Sequence, residues 1–234
     1  MSRTKKAVII GSVLVGIGVI IGFIGIAIGG FKFPNGAVDL TTMKALHTEK
    51  KTVQIADAFD KIEIAGASSM DIEICKSKTG KNYVEYYDTD DWTSHVDVKD
   101  HVLKFTTDDK GKHKAIVSLG FGKDTRTRIY LTDAEYKEIA VTTLSGYVTI
   151  QDVNAETVNV SASSGDIDLE SCDAEKFDIT TSSGDVDMEI TAGRTYRFET
   201  KTNSGDVDVP DGDADSGYLC KIVTSSGDVD VKQK

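Results

Sequence analysis

Eight aspartates carry the spacing most suggestive of chemistry in this 234-residue chain. Asp166, Asp185, Asp206 and Asp228 each directly follow a glycine, and Asp168, Asp187, Asp208 and Asp230 stand two residues further on. Carboxylates in ordered rows can hold a cation, and calcium favours several carboxylate and carbonyl oxygens. The Asp-x-Asp spacing matches neither an EF-hand loop nor the calcium-binding nonapeptide. A second chemistry is glycoside hydrolysis, which needs a distinct pair of carboxyl groups with different environments. Here the acids form uniform rows, with no accompanying Arg, Lys or His that would single out one pair. The expectation is therefore a chain that is not an enzyme and has no cofactor, with calcium on the rows as the alternative. In the plainer reading, solvent and hydrogen bonds from the turn to the first Asp of each pair offset the repulsion.

Other chemistry-bearing residues are sparse. Cys75, Cys172 and Cys220 form no Cys-x-x-Cys pair, and their odd number argues against a disulfide scaffold. Cys220 shares the phase of Phe177 and Phe198 and reads as core, whereas Cys172 reads as a loop residue. His47, His95, His101 and His113 show no metal spacing and read as surface residues. No Gly-x-Ser-x-Gly elbow is present.

The elements that position the aspartates form a repeat. Gly146, Gly165, Gly184, Gly205 and Gly227 each follow a serine, at intervals of 19, 19, 21 and 22 residues. Aligned on these glycines, apolar residues recur in columns. Seven before stand Ile139, Val158, Phe177, Phe198 and Cys220, and two after stand Val148, Ile167, Val186, Val207 and Val229. The columns at five before and four after behave alike, except for Thr200. Each copy reads as strand, Ser-Gly corner, strand and loop, with every second residue inward. One such unit cannot bury its apolar face alone, so the copies must stack into a β-solenoid. The glycines are assigned to a backbone conformation that side chains disfavour, and the serines to satisfying backbone groups in the turn. Tyr147 and Thr149 interrupt the aspartate pattern in the first copy. The fifth copy ends the chain, so its edge is expected either to be blunted by Lys232 and Lys234 or to accept a partner strand.

The rest of the chain sets the placement. Ala7 to Gly30 has no charged residue and is long enough to span a bilayer. The rival is a secretory signal peptide, whose apolar core is shorter, with Ala27-Ile28-Gly29 as a weak cleavage site. Arg3, Lys5 and Lys6 precede the run and place residues 1–6 in the cytoplasm and everything after Gly30 outside the cell membrane. Gly11, Gly18, Gly22, Gly25 and Gly29 share one face of that helix. They read either as an oligomer seam or as the ordinary glycine content of membrane helices. Residues 31–52 read as a juxtamembrane linker, with a weak helical pattern over Val38–His47. Residues 53–234 read as an all-β extracytoplasmic domain, alternating apolar and polar from Val53 onward. Ser145–Lys234 holds 19 acids against 7 bases, so all of the net charge of −11 lies there and the rest of the chain is close to neutral. That acidity excludes nucleic acid as a partner.

The Thr-Ser-Ser-Gly-Asp-Val-Asp repeat, with its lead-in Phe59-Asp60-Lys61-Ile62-Glu63-Ile64, resembles the bacterial "putative adhesin" family of β-strand repeats. The resemblance covers Val53 to Lys234. It implies an extracytoplasmic β-solenoid of the kind common in Gram-positive cell envelopes, where some relatives serve in stress systems. The resemblance transfers no catalytic residue; in the calcium alternative, the aspartate rows would bind a wall polymer or a protein partner.

Overall fold

Across the five repeats, alternating inward residues with a corner every few positions drive the chain to coil instead of forming hairpins. The computed structural model describes residues 37–39, 44–45, 48–66, 70–89, 92–109, 116–118, 126–191 and 193–234. Each repeat gives one strand to each of two sheet faces, joined at the Ser-Gly corner. In chain order the five are β11 (Glu135–Ser145) with β12 (Val148–Gln151); β13 (Asn154–Ser164) with the start of β14 (Ile167–Ser183); the rest of β14 with β15 (Val186–Ile190); β16 (Tyr196–Lys201) with β17 (Val207–Asp208); and β18 (Tyr218–Val223) with β19 (Val229–Gln233). Neighbouring coils pair in parallel and in register, so Val148, Ile167, Val186 and Val229 lie side by side. Their side chains and those of Ile139, Val158, Phe177 and Cys220 are fully buried in one continuous core.

Two more coils precede the repeat. β4 (Lys61–Ala65) and β5 (Ile72–Lys76) pair in parallel with β11 and β12. β8 (Val102–Asp109) and β10 (Thr127–Leu131) pair in parallel with β4 and β5 on the far side. Antiparallel strands close that end of the stack: β7 (Trp92–Lys99) on β8, β6 (Asn82–Thr89) on β10, and β3 (Thr48–Ile55) on β6. Asp88 pins this cap, accepting from the Ser94 backbone N–H at 2.8 Å and from Lys51 Nζ at 2.7 Å.

The opposite end departs from the order expected. The fifth repeat does not end the stack. β18 lies between β14 and β16, and β19 lies between β15 and β17, so the last coil of the sequence is inserted between the third and the fourth. The open edge therefore belongs to the fourth repeat, away from the C-terminus. Val207 is 41% exposed, whereas Val148, Ile167, Val186 and Val229 are at most 1% exposed. The physical reason lies in the inward columns. The fourth repeat has Thr200 where Val141, Val160, Ile179 and Ile222 stand in the others. A coil with a polar inward position costs least at the end, where only one side must be dry. The two-residue β17, the charged Arg197, Glu199 and Lys201 along β16, and Pro210 all blunt the edge.

The segment before the domain also differs from expectation. β1 (Ala37–Asp39) and β2 (Lys44–Ala45) are strands, not a helix, and β1 pairs with β9 (Ile116–Ser118) in the long crossover between β8 and β10. β3 starts at Thr48, inside the predicted linker. Among the described residues no helix is long and apolar enough to cross a membrane. The predicted span Ala7–Gly30, with Gly11, Gly18, Gly22, Gly25 and Gly29, lies outside the described residues.

Candidate functional site

The Ser-Gly corners stack into one ridge, and the two aspartate columns run beside it on the outer face. In stacking order the first column reads Asp166, Asp185, Asp228, Asp206. Each of the first three carboxylates accepts a backbone N–H from the next coil: Asp166 Oδ1 from Asp185 N at 2.9 Å, Asp185 Oδ1 from Asp228 N at 2.8 Å, and Asp228 Oδ1 from Asp206 N at 2.8 Å. The backbone answers in the reverse sense. Ile167 N donates to Asp185 O, Val186 N to Asp228 O, and Val229 N to Asp206 O, each at 2.9 Å. A side chain one carbon longer or shorter would misplace the acceptor, which accounts for Asp at this position. Such charge-assisted bonds contribute more than neutral ones.

The second column has no such return. Asp168, Asp187, Asp230 and Asp208 stand opposite one another in successive strands. At the roughly 4.8 Å strand spacing, each neighbouring pair repels by about 1 kcal/mol in water. Lys232 Nζ relieves one member, donating to Asp230 Oδ2 at 2.9 Å. Asp168, half-buried, bears the strain: desolvation first, then the charges of Glu170 and Asp187, push its carboxyl above the ordinary 3.8. A raised carboxyl pKa means that protonation favours the fold. That contribution is complete below pH 3.8 and is lost as the pH rises through the raised value. Asp168→Asn should therefore raise the thermal midpoint at pH 7 by about 2–4 °C, and the gain should vanish below pH 3.8. Paired melts of variant and parent at the two pH values check this. A lower midpoint at pH 7 would show that the Asp168 carboxylate is bonded in the fold.

Among the described residues no three His, Cys, Asp or Glu side chains are grouped so as to hold a metal ion. The columns are lines, not cages.

Several corner residues carry roles the sequence pattern did not reveal. Asp71, in the coil before the repeat, starts the first column by accepting from Tyr147 N at 2.9 Å. Its coil has Met70 at the glycine position, which hid the relationship. Beneath the ridge lies a column of threonines three residues before the glycines, interrupted by Ala162 in the second repeat. Thr143 Oγ1 donates to Ser145 O at 3.2 Å, and Thr202 Oγ1 donates to Gly227 O at 3.2 Å. Thr181 and Thr224 are buried in the same column. The serines contribute through their main chain, with Gly165 N donating to Ser183 O at 2.9 Å and Gly184 N to Ser226 O at 3.0 Å.

The glycines hold φ between 123° and 148°. Each also abuts the backbone of the neighbouring coil: a Cβ on Gly165 would stand 2.8 Å from the carbonyl carbon of Gly146 and nearer still to its oxygen.

Cys172 is not in a loop. It is fully buried in β14 at a bulge, where its thiol donates to Ile150 O at 3.3 Å. Cys220 is core, as its column predicts. Burial pushes the thiols of Cys172 and Cys220 up to about 12 and that of Cys75 to about 11, which keeps all three protonated and unreactive at neutral pH. His95 is exposed and lies 3.1 Å from Asp108.

A parallel two-faced stack with Gly-Asp corners and an antiparallel cap defines a class of bacterial repeat domain. The chain belongs to the Toastrack DUF4097 family, whose model matches residues 59–234. No curated protein matches it. Among solved structures it is similar to a "putative cell adhesion protein" from Clostridium sporogenes, with 18% identity over 81% of this chain and all of that one, at a TM-score of 0.60. A "putative adhesin" from Bacteroides fragilis has 17% identity over 81% of this chain and 98% of that one, at a TM-score of 0.35. The first likeness bears on the fold, and the second carries no further argument.

Proposed function

We propose that the chain is a single-pass membrane protein that displays its Toastrack solenoid outside the cell, as a non-enzymatic adhesion, scaffold or envelope-stress module. The observation that carries this reading is how the first aspartate column is used. Asp166, Asp185 and Asp228 hold backbone N–H groups of adjacent coils, so the most regular acids of the sequence build a rigid surface for display. The protonated thiols of Cys75, Cys172 and Cys220 support the same conclusion. So does the name of the similar Clostridium sporogenes protein.

Arg3, Lys5 and Lys6 before the apolar run support a cytoplasmic N-terminus. The pairing of β1 with β9 supports an arrangement in which the capped end stands next to the membrane and the fourth repeat points away. The glycine face of the span is the oligomer seam of this reading. Protease treatment of intact cells carrying the full chain tests it. The expected result is loss of the solenoid from the cell with retention of a short anchored stub. A solenoid untouched until the cells are lysed would overturn the topology.

A further inference from the structure

Among the described residues three large apolar side chains are exposed, and two of them flank one corner: Leu144 at 60% and Tyr147 at 58%. Both break the repeat. Leu144 occupies the polar column of Ser163, Ser182, Asn203 and Ser225, and Tyr147 that of Asp166, Asp185, Asp206 and Asp228. Thr149 makes a third exception, standing between Glu73 and Asp168 in the adjacent strands. The three changes fall in one coil, and two of them, Tyr147 and Thr149, line a groove of about 460 Å³ on the outer face. Asp71 and Arg126 line one side, Tyr147 and Thr149 the middle, and Asp166 and Asp168 the other. That volume lies within the range of small-molecule sites.

We propose that this groove binds an amino sugar, with the pyranose ring against Tyr147 and its ammonium group on the carboxylates of Asp166 and Asp168. The proposal rests on the reading of the chain as a binding module and names the ligand class. Three observations converge on it. First, a large aromatic ring held in water, where the fold places a small acid in every later coil, marks a contact surface, not a packing need. Second, the lining is net negative. Asp71, Asp166, Asp168 and Asp187 face one guanidinium, and Arg126 already lies 3.4 Å from Glu73 Oε2. A cation is favoured by that charge and by the face of Tyr147. Third, the strands here offer no free backbone. β12 is paired on one side with β5 and on the other with β14, so an extended peptide cannot add a strand. Recognition must run through side chains, which suits the hydroxyls and ammonium of a saccharide ring lying on a flat sheet.

The test titrates the full chain, purified in mild detergent, with three probes: a glucosamine tetramer, the same tetramer fully N-acetylated, and tetralysine. The expected result is binding of the glucosamine tetramer, weakened about tenfold by acetylation and about tenfold by Tyr147→Ala, but retained by Tyr147→Phe. The exposed position of Tyr147 leaves the melting midpoint of each variant unchanged, so folding and binding are read separately. Absence of glucosamine tetramer binding would overturn the proposal, as would equal binding by Tyr147→Ala or by the acetylated probe. Tetralysine binding with the same Tyr147 dependence would also overturn it, reassigning the groove to a basic protein segment. Mass spectrometry of the recovered tetramer separates the two readings: a cleaved probe would overturn the non-enzymatic function while upholding the groove as the binding site.

Discussion

Gly165→Ala lowers the thermal midpoint of the chain by about 10 °C or more, a loss of roughly 3–5 kcal/mol. Two effects combine. The backbone at Gly165 has φ of 123°, a conformation that costs a residue with a Cβ about 1–3 kcal/mol. The new Cβ would also meet the carbonyl of the preceding coil, with the Gly146 carbonyl carbon at 2.8 Å and its nitrogen at 3.0 Å. Those atoms are backbone held in a sheet, so neither can rotate away. The coils must part at the corner, which strains the bond from Val148 N to Asp166 O, itself contributing about 1 kcal/mol.

Gly193→Ala separates the two effects. Its φ is 113°, yet nothing lies within 4 Å of an added Cβ. Only the conformational cost of about 1–2 kcal/mol applies there. Thermal melts of the two variants beside the parent check the difference. Equal losses would mean that backbone conformation alone demands glycine at the corners.

That contrast also shows what the sequence could and could not convey. The repeat was legible because every coil must present the same inward columns to its neighbours. Ile139, Val158, Phe177 and Cys220 recur at one phase and are all buried. The same uniformity conceals the order of stacking. Parallel coils with matching columns can pair with one another in any sequence, so nothing in the spacing of Gly184, Gly205 and Gly227 places the last of them between the other two. The signal that bears on order is a fault in the pattern, Thr200 among the valines and isoleucines. The coil of β4 and β5 escaped notice for a related reason. Met70 replaces the corner glycine, and the coil's partner strands β8 and β10 follow it in sequence while lying on its outer side. The aspartate columns were visible as charge. Which column is bonded to the backbone depends on a distance of one coil spacing, and that appears only once the coils are stacked. Tyr147 was legible as an exception, but its groove required the neighbouring coils to be placed on both sides.

The inserted last coil makes the second large effect specific. Deleting Tyr218–Lys234 from the full chain removes β18 and β19, which in a solenoid stacked in sequence order would shed one end coil and leave the rest intact. Here it empties a place inside the stack. Lys176–Thr180 of β14 and Val186–Ile190 of β15 each lose one of their two parallel partners. Among the described residues, β16 and β17 lose the only strands they pair with. Phe177, Ile179, Val186 and Met188 lose cover on one side, at a cost of about 5 kcal/mol or more, which is comparable to the whole stability of a small domain. The expected result is loss of a cooperative melt near the parent midpoint, together with rapid tryptic cutting at Arg194, Arg197 and Lys201 in the detached fourth repeat. Reseating that repeat in the vacated place is opposed by the Tyr196 hydroxyl, which donates to Ala174 O at 2.7 Å across the inserted coil and would lose that position. A shortened chain that melted within a few degrees of the parent and protected those three sites would show that the fourth repeat can occupy either place.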